Sequence, residues 1–175
     1  AAGLRPARVI CELKHAYALN TGDDELVGEC RGKLLHTAGS RAELPSIGDW
    51  VATRPRPGSS KHDILAVLPR KTRFCRRAAG EHGHEQTIAA NLDTVFLVSS
   101  LDSNLNLRRI ERFLAVTRES GAEPVILLNK ADLLDNADEI AAEVTAIAGD
   151  AAVIPISAET GTGFRKLSRW LKKGR

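Results

Sequence analysis

Two short polar stretches carry the residue types best suited to chemistry. Asn129-Lys130-Ala131-Asp132 follows the apolar run Pro124 to Leu128, and Ser157-Ala158-Glu159-Thr160 follows the apolar run Ala152 to Ile156. One helix-length segment separates the two, so both loops are expected to open on one edge of a parallel sheet. The edge beyond the carboxyl ends of the strands is where open α/β sheets bind ligands. A fixed carboxylate at Asp132 suits a partner with two adjacent N–H groups, which it can accept together as a charge-assisted pair. Guanine presents that edge through N1–H and its 2-amino group. Adenine has an acceptor at N1 and nothing at C2, so it would leave the carboxylate unpaired. Sites that require such a hydrogen bond reject an analogue lacking it by roughly 10⁴-fold or more.

The neighbouring residues fit the same chemistry. Asn129 would brace the loop through its side-chain amide, and the Lys130 stem would lie along the base plane with its ammonium in water. Ala158 would bring its backbone N–H to guanine O6, and Glu159 is the next candidate contact of that loop. Ser157 and Thr160 would stabilise the turn, with Gly161 and Gly163 letting it bend. The plainer reading makes Asp132 a helix-start residue and Ser157 an ordinary turn residue.

A nucleotide site also needs a phosphate-cradling loop, spelled GxxxxGK[ST]. The nearest string, Gly28-Glu29-Cys30-Arg31-Gly32-Lys33-Leu34, is one residue short and has Leu34 in place of the hydroxyl. No Asp is followed three residues later by Gly, so a DxxG loop is absent from these 175 residues as well.

The elements that must position the loops divide into two parts. Residues 1–77 read as a β domain, 78–90 as a connector, and 91–175 as an α/β segment of order β-α-β-α-β-α. In the first part, Ala7 to Lys14, Ala16 to Asn20, Glu25 to Leu35, Asp49 to Thr53 and Asp63 to Leu68 are strand candidates, with Gly28 and Gly32 marking bulges or tight curvature. Five curved strands in so short a span fit an OB-type barrel, a fold whose face commonly binds oligonucleotides. Trp50 is expected in its core. In the second part, Thr94 to Val98 reads as a buried strand and Leu107 to Ser120 as a helix with Ile110, Phe113, Leu114 and Thr117 on one face, ended by Gly121. A helix from about Asn136 to Gly149 follows, and Phe164, Leu167, Trp170 and Leu171 mark an amphipathic terminal helix. Three strands leave one sheet edge without a partner.

These strings, in this order, resemble the ribosome-small-subunit-dependent GTPase family (RsgA/YjeQ), circularly permuted GTPases with an N-terminal OB domain. The resemblance rests on Gly48 to Val51, Gln86 to Asp93, Asn106 to Leu114 and the two guanine loops. It implies half of a circularly permuted P-loop GTPase sheet behind an OB-type barrel. It also implies an intact protein that binds and hydrolyses GTP during late maturation of the small (30S) ribosomal subunit, with the barrel docking on 16S rRNA. GTP or GDP would meet only guanine contacts here. Mg²⁺, Zn²⁺ and the phosphate loop belong to the family's later segments, so no catalytic residue and no metal ligand is assigned, and these 175 residues alone are expected to be inactive. The alternative is an RNA- or ribosome-binding module with no nucleotide function.

Charge is unevenly placed. Residues 1–80 hold 14 Lys+Arg against 8 Asp+Glu, whereas 81–175 hold 11 against 14, within a net charge of +3. A basic first part suits a polyanion. Its candidate RNA contacts are Arg54, Arg56, Lys61, Arg70, Lys71, Arg73, Arg76 and Arg77, with a solvated basic linker as the plainer reading of the same residues. Cys11, Cys30 and Cys75 are widely spaced and form no CxxC pair, which fits free thiols in a reducing cytoplasm. His82 and His84 have no cysteine at ligand spacing and read as part of a solvated linker. No apolar run approaches the length of a membrane span, and Ala1 to Pro6 lacks the apolar core of a secretory signal. A cytoplasmic monomer is the expectation.

Overall fold

The computed structural model describes residues 3–77, 85–102 and 105–172, which form two compact units, Ala1–Leu92 and Asp93–Arg175. In the first unit, β1 (Arg5–Leu13), β2 (Ala16–Asn20), β3 (Glu25–Cys30), β4 (Trp50–Pro55) and β5 (Lys61–Val67) close a barrel in the order β1-β2-β3-β5-β4. Alternation along the strands turns Ala7, Val9, Leu19, Val51 and Ile64 inward as its core. All strand pairs are antiparallel except β3 with β5, where Val27 lies beside Lys61 and Cys30 beside Ile64. Closure removes the exposed edges that an open five-stranded sheet would carry.

Three local features of this unit differ from the sequence reading. The third strand stops at Cys30, and Gly32–Thr37 forms a short helix, α1, whose Leu34 packs against the barrel core. Gly28 is no bulge: a Cβ there would press on Leu19 and Ile64, so its role is to let those side chains fill the barrel. Within the span read as a connector, Glu85–Ala90 is a strand, β7, paired antiparallel with β6 (Arg73–Arg77). Residues 78–84, with His82 and His84, lie outside the described residues.

A buried ion pair ties this unit together. Asp49 is fully buried, and the Arg70 guanidinium meets it bidentately, Nε to Oδ1 at 2.8 Å and Nη2 to Oδ2 at 2.7 Å. The same guanidinium donates to the carbonyls of Ala42 and Leu44 at 2.6 and 2.9 Å. Hydrogen bonding to Asp49 raises the Arg70 pKa further above its ordinary value, so the charge is permanent.

In the second unit, β8 (Thr94–Ser100), β9 (Glu123–Asn129) and β10 (Ala152–Pro155) form a parallel sheet of order β10-β9-β8. The central strand is apolar throughout because both its faces are covered. Ile126 and Leu128 pack with Ile110 and Leu114 of α2 (Leu107–Ser120) and Val144 of α3 (Ala137–Ala148). Val125 and Leu127 face the other way, onto Ile154, Ile156, Leu167 and Trp170. Helix α2 begins where Asn106 accepts from the Arg109 N–H at 3.0 Å and ends at Gly121, whose φ of 84° reverses the chain.

Phe113 is 42% exposed, at the margin of the buried stripe rather than in it. The expected terminal helix is a 3₁₀ segment, Phe164–Arg169, that buries Leu167 and Trp170 and leaves Phe164 and Leu171 exposed. No described helix is long and apolar enough to cross a membrane.

Candidate functional site

Each of the three parallel strands ends in a polar loop on the same edge of the sheet. Asn129 closes β9, and the chain then turns through Lys130, which adopts a left-handed backbone (φ 67°) uncommon for a non-glycine residue. The turn leads into a single 3₁₀ turn, Ala131–Leu133, that carries Asp132. The second loop leaves β10 through Ile156, whose N–H donates to Leu128 O at 2.9 Å, while the Ala131 N–H donates back to Ile156 O at 3.0 Å. The parallel ladder thus continues past the strands and lays one loop beside the other.

A side chain completes the junction. Asn129 Oδ1 accepts the backbone N–H of Ala158 at 3.0 Å. Because that donor can be met only by an oxygen, the Asn129 amide has a defined orientation and its Nδ2 faces away from Ala158. Ser157 is fully buried and organises its own turn: its Oγ accepts from Thr160 N–H at 3.1 Å and its carbonyl from Gly161 N–H at 2.9 Å. Gly163 (φ 84°) cannot carry a side chain without striking the Pro155 carbonyl, so a glycine is required to bring the loop back under the sheet edge. Asp132, Ala158 and Glu159 are exposed, and no hydrogen bond or ion pair joins the Asp132 carboxylate to a described residue.

The third loop supplies a residue the sequence reading missed. Asp102 follows β8, whose extension is held by Leu101 N–H donating to Asn129 O at 2.9 Å. Its Oδ2 lies 2.7 Å from Lys130 Nζ. The Lys130 ammonium is therefore tethered to Asp102 instead of standing alone in water, and its stem is drawn across the loop edge. The signal was present: Asp102 stands just beyond its strand as Asp132 and Glu159 do beyond theirs.

The basic residues of the barrel unit separate into two groups. Arg56 Nη1 and Lys61 Nζ meet Glu29 at 2.8 and 2.6 Å, Arg56 Nε meets the buried Asp63 at 2.7 Å, and Arg31 reaches the same carboxylate at 2.7 Å. Arg70 is held by Asp49, and Arg73 pairs with Glu85 at 2.8 Å. These side chains neutralise the protein's own carboxylates. Arg54 and Lys71 are exposed and form no ion pair with a described residue, and Arg76 reaches only the Gln86 amide, at 3.4 Å. Arg77 lies in β6 opposite Glu85. Trp50, expected in the core, is 41% exposed.

A cavity of about 540 Å³ opens in the barrel unit, lined by residues including Tyr17, Cys30, Arg41 and Gln86, and no residue of the two loops at 129–132 and 157–160 borders it. Burial pushes the Tyr17 phenol up to about 12 and the Cys30 thiol up to about 11, so neither is an anion near neutral pH. Nucleophilic chemistry by a thiolate is not what this cavity supplies. Among the described residues, no group of three or more His, Cys, Asp and Glu is arranged to hold a metal ion.

Comparison with known proteins agrees with this architecture. A protein named small ribosomal subunit biogenesis GTPase RsgA from Opitutus terrae is 50% identical over 177 residues, covering 97% of this chain and 48% of its own length. Proteins of the same name from Methanosarcina acetivorans and Xanthomonas campestris are 46% and 37% identical over 74% and 97% of this chain, which covers 35% and 46% of them. The chain thus spans about half the length, or less, of the curated relatives it matches. In fold it is similar to the crystal structure of YjeQ from Thermotoga maritima (TM-score 0.74, 24% identity, 97% of this chain and 57% of that one). It is also similar to YloQ, described as a circularly permuted GTPase (TM-score 0.66, 19% identity, 98% of this chain and 58% of that one). The RsgA GTPase family matches residues 67–175, from the end of the barrel through both loops, and the chain belongs to that family.

Proposed function

We propose that this chain is the barrel and guanine-recognition portion of a GTPase acting in biogenesis of the small ribosomal subunit. The observation that carries the reading is the Asn129–Ala158 hydrogen bond, which holds two loops of the right composition side by side at the carboxyl edge of a parallel sheet. In the bound state Asp132 accepts N1–H and the 2-amino group of guanine, and the outward Asn129 Nδ2 donates to the base's N7. Ala158 N–H, shared with Asn129 Oδ1, turns toward O6. Lys130, restrained by Asp102, covers one face of the base with its stem. Ser157 and Glu159 shape and border the second loop.

These contacts select the base and do not cleave a phosphate. Phosphoryl transfer depends on positioning the γ-phosphate and stabilising its charge. The phosphate contacts, with Mg²⁺, belong in this reading to the part of the relatives that this chain does not span. Among the described residues, no three or more His, Cys, Asp and Glu are grouped to hold a metal ion. Hydrolysis of GTP is a property of the intact protein, and the barrel is its rRNA-docking unit.

The test is a nucleotide titration of the 175-residue chain followed by NMR. GDP at millimolar concentration is expected to shift the amide signals of residues 129–132 and 157–159, and ADP is expected to leave them in place. Binding of GDP and ADP alike, or GDP shifts that persist in Asp132→Ala, would refute guanine recognition. Submicromolar GTP affinity by calorimetry would refute the assignment of phosphate contacts to another segment.

A further inference from the structure

We propose that the outer face of β4 and β1, centred on Trp50, is a stacking platform for an unpaired RNA base, with Arg8, Arg54 and Lys71 meeting the flanking phosphates. The inference rests on the reading of the barrel as an RNA-docking unit and gives that docking a face and a mode.

The geometry begins with strand alternation. Val51 and Thr53 are buried in the barrel, so Trp50, Ala52 and Arg54 share the outward face of β4. An indole left 41% exposed on a strand presents a large apolar surface to solvent. Directly across the ladder from Trp50 stands Arg8, whose guanidinium carbon lies 5.9 Å from the ring centroid. Arg8 Nη2 donates to Asn91 O at 3.2 Å, and Asn91 Oδ1 accepts the Lys71 N–H at 2.9 Å, so Asn91 gathers two basic residues at one edge of the platform. The Leu68 N–H donates to Trp50 O at 2.8 Å, and its half-exposed side chain extends the apolar floor. Arg54 lies four residues along β4, roughly 13 Å from Trp50.

Charge decides the occupant. Arg8, Arg54 and Lys71 form no ion pair with a described residue, whereas Arg31, Arg56, Lys61, Arg70 and Arg73 each meet an internal carboxylate. Three uncompensated cations around one exposed indole match a ligand that alternates anionic groups with flat aromatic ones, which describes a single strand of nucleic acid. A base paired within a duplex keeps its faces stacked on its neighbours and offers none to the indole.

The full chain provides its own reporter. Trp170, the other tryptophan, is only 4% exposed, so quenching of tryptophan emission by RNA reads Trp50. A single-stranded RNA of about 12 nucleotides is expected to quench the emission and to bind more tightly than the same sequence as a paired duplex. Trp50→Ala is expected to weaken single-strand binding by about tenfold or more, with Trp50→Phe keeping most of it. Lys71→Gln is expected to lower the slope of log affinity against log salt by about 0.7.

If single-stranded RNA binds without quenching, and equally well to the wild-type chain and Trp50→Ala, the platform is wrong while RNA docking stands. Absence of any RNA binding by the wild-type chain would overturn both. Self-association seen by sedimentation that Trp50→Ala abolishes, with RNA affinity unchanged, would assign the face to a second copy and overturn the proposal. Quenching in the unsubstituted chain and the conservative Phe variant decide the matter even if the alanine variant fails to fold.

Discussion

The side-chain carbonyl of Asn129 accepts the backbone N–H of Ala158 at 3.0 Å, so one loop of the sheet edge orders another 29 residues away in sequence. An exposed hydrogen bond of this kind contributes about 1 kcal/mol. Asn129→Ala is therefore expected to lower the exchange protection of the Ala158 amide by about five- to tenfold, with protection in β9 unaffected. Amide exchange followed by NMR measures this residue by residue. Unchanged protection at Ala158 would mean that the loops are held by their backbone ladder alone.

Asp132 offers a sharper test of the proposed base recognition. Asparagine at this position keeps one acceptor and replaces the other with an N–H donor. Xanthine retains N1–H but carries a carbonyl where guanine has its 2-amino group. Asp132→Asn should thus lose the response to GDP and gain one to xanthosine diphosphate, read by the same amide shifts at 129–132 and 157–159. A variant that responds to neither, or still to GDP, would speak against a bidentate contact at this carboxylate.

Removing Arg70 isolates the buried end of the barrel unit. Arg70→Met strips the fully buried Asp49 of its bidentate partner and frees the Ala42 and Leu44 carbonyls. Breaking a buried pair from one side typically costs about 3–5 kcal/mol. The neighbouring Lys71→Ala, on an exposed side chain, should stay within about 0.5 kcal/mol. Urea denaturation of both variants, followed by a probe in residues 1–92, gives the comparison, and equal midpoints would contradict the structural role given to Arg70.

Acid should weaken the barrel unit through the Glu29–Asp63 network. Hydrogen bonds from Lys61 and Arg56 hold the Glu29 carboxyl below its usual range. Burial pushes Asp63 upward, but Arg56 and Arg31 outweigh it, so the net direction is also down. Depressed carboxyl groups stabilise the fold fully above the unfolded-state value of about 4, and that contribution disappears as pH falls through the lower folded-state values. Barrel stability is expected to decline below about pH 4, and Arg56→Gln to reduce that acid dependence. A pH series of thermal melts would show it, and an unaltered acid slope in Arg56→Gln would count against the network.

The parts legible in the sequence were those that local chemistry determines. The apolar run of β9, the polar residues after it and the spacing to β10 predicted two loops on one edge, and the structure places them there. Gly121 ends α2 where expected because the left-handed conformation is inexpensive only for glycine. Periodicity failed where two outcomes share a pattern. Leu167 in a 3₁₀ segment and Trp170 at its end lie inward as they would in an α-helix, since a three-residue spacing serves both. Glu85–Ala90 became a strand only by pairing with Arg73–Arg77, a partner that no local propensity reveals.

The orientation of β4 shows where the division falls. Alternation makes Asp49 and Val51 point one way and Trp50 the other, and the position of Trp50, just after the turn into an apolar strand, favoured burying the tryptophan. Arg70, 21 residues downstream, reversed that choice by giving a buried carboxylate two charge-assisted hydrogen bonds. The same long-range pairing separated basic residues that neutralise internal acids from those with no ion pair among the described residues. Composition made the barrel unit basic and spacing placed the two polar loops on one sheet edge. Which cations remained uncompensated, and which aromatic faced solvent, depended on carboxylates brought near only when the chain closed on itself.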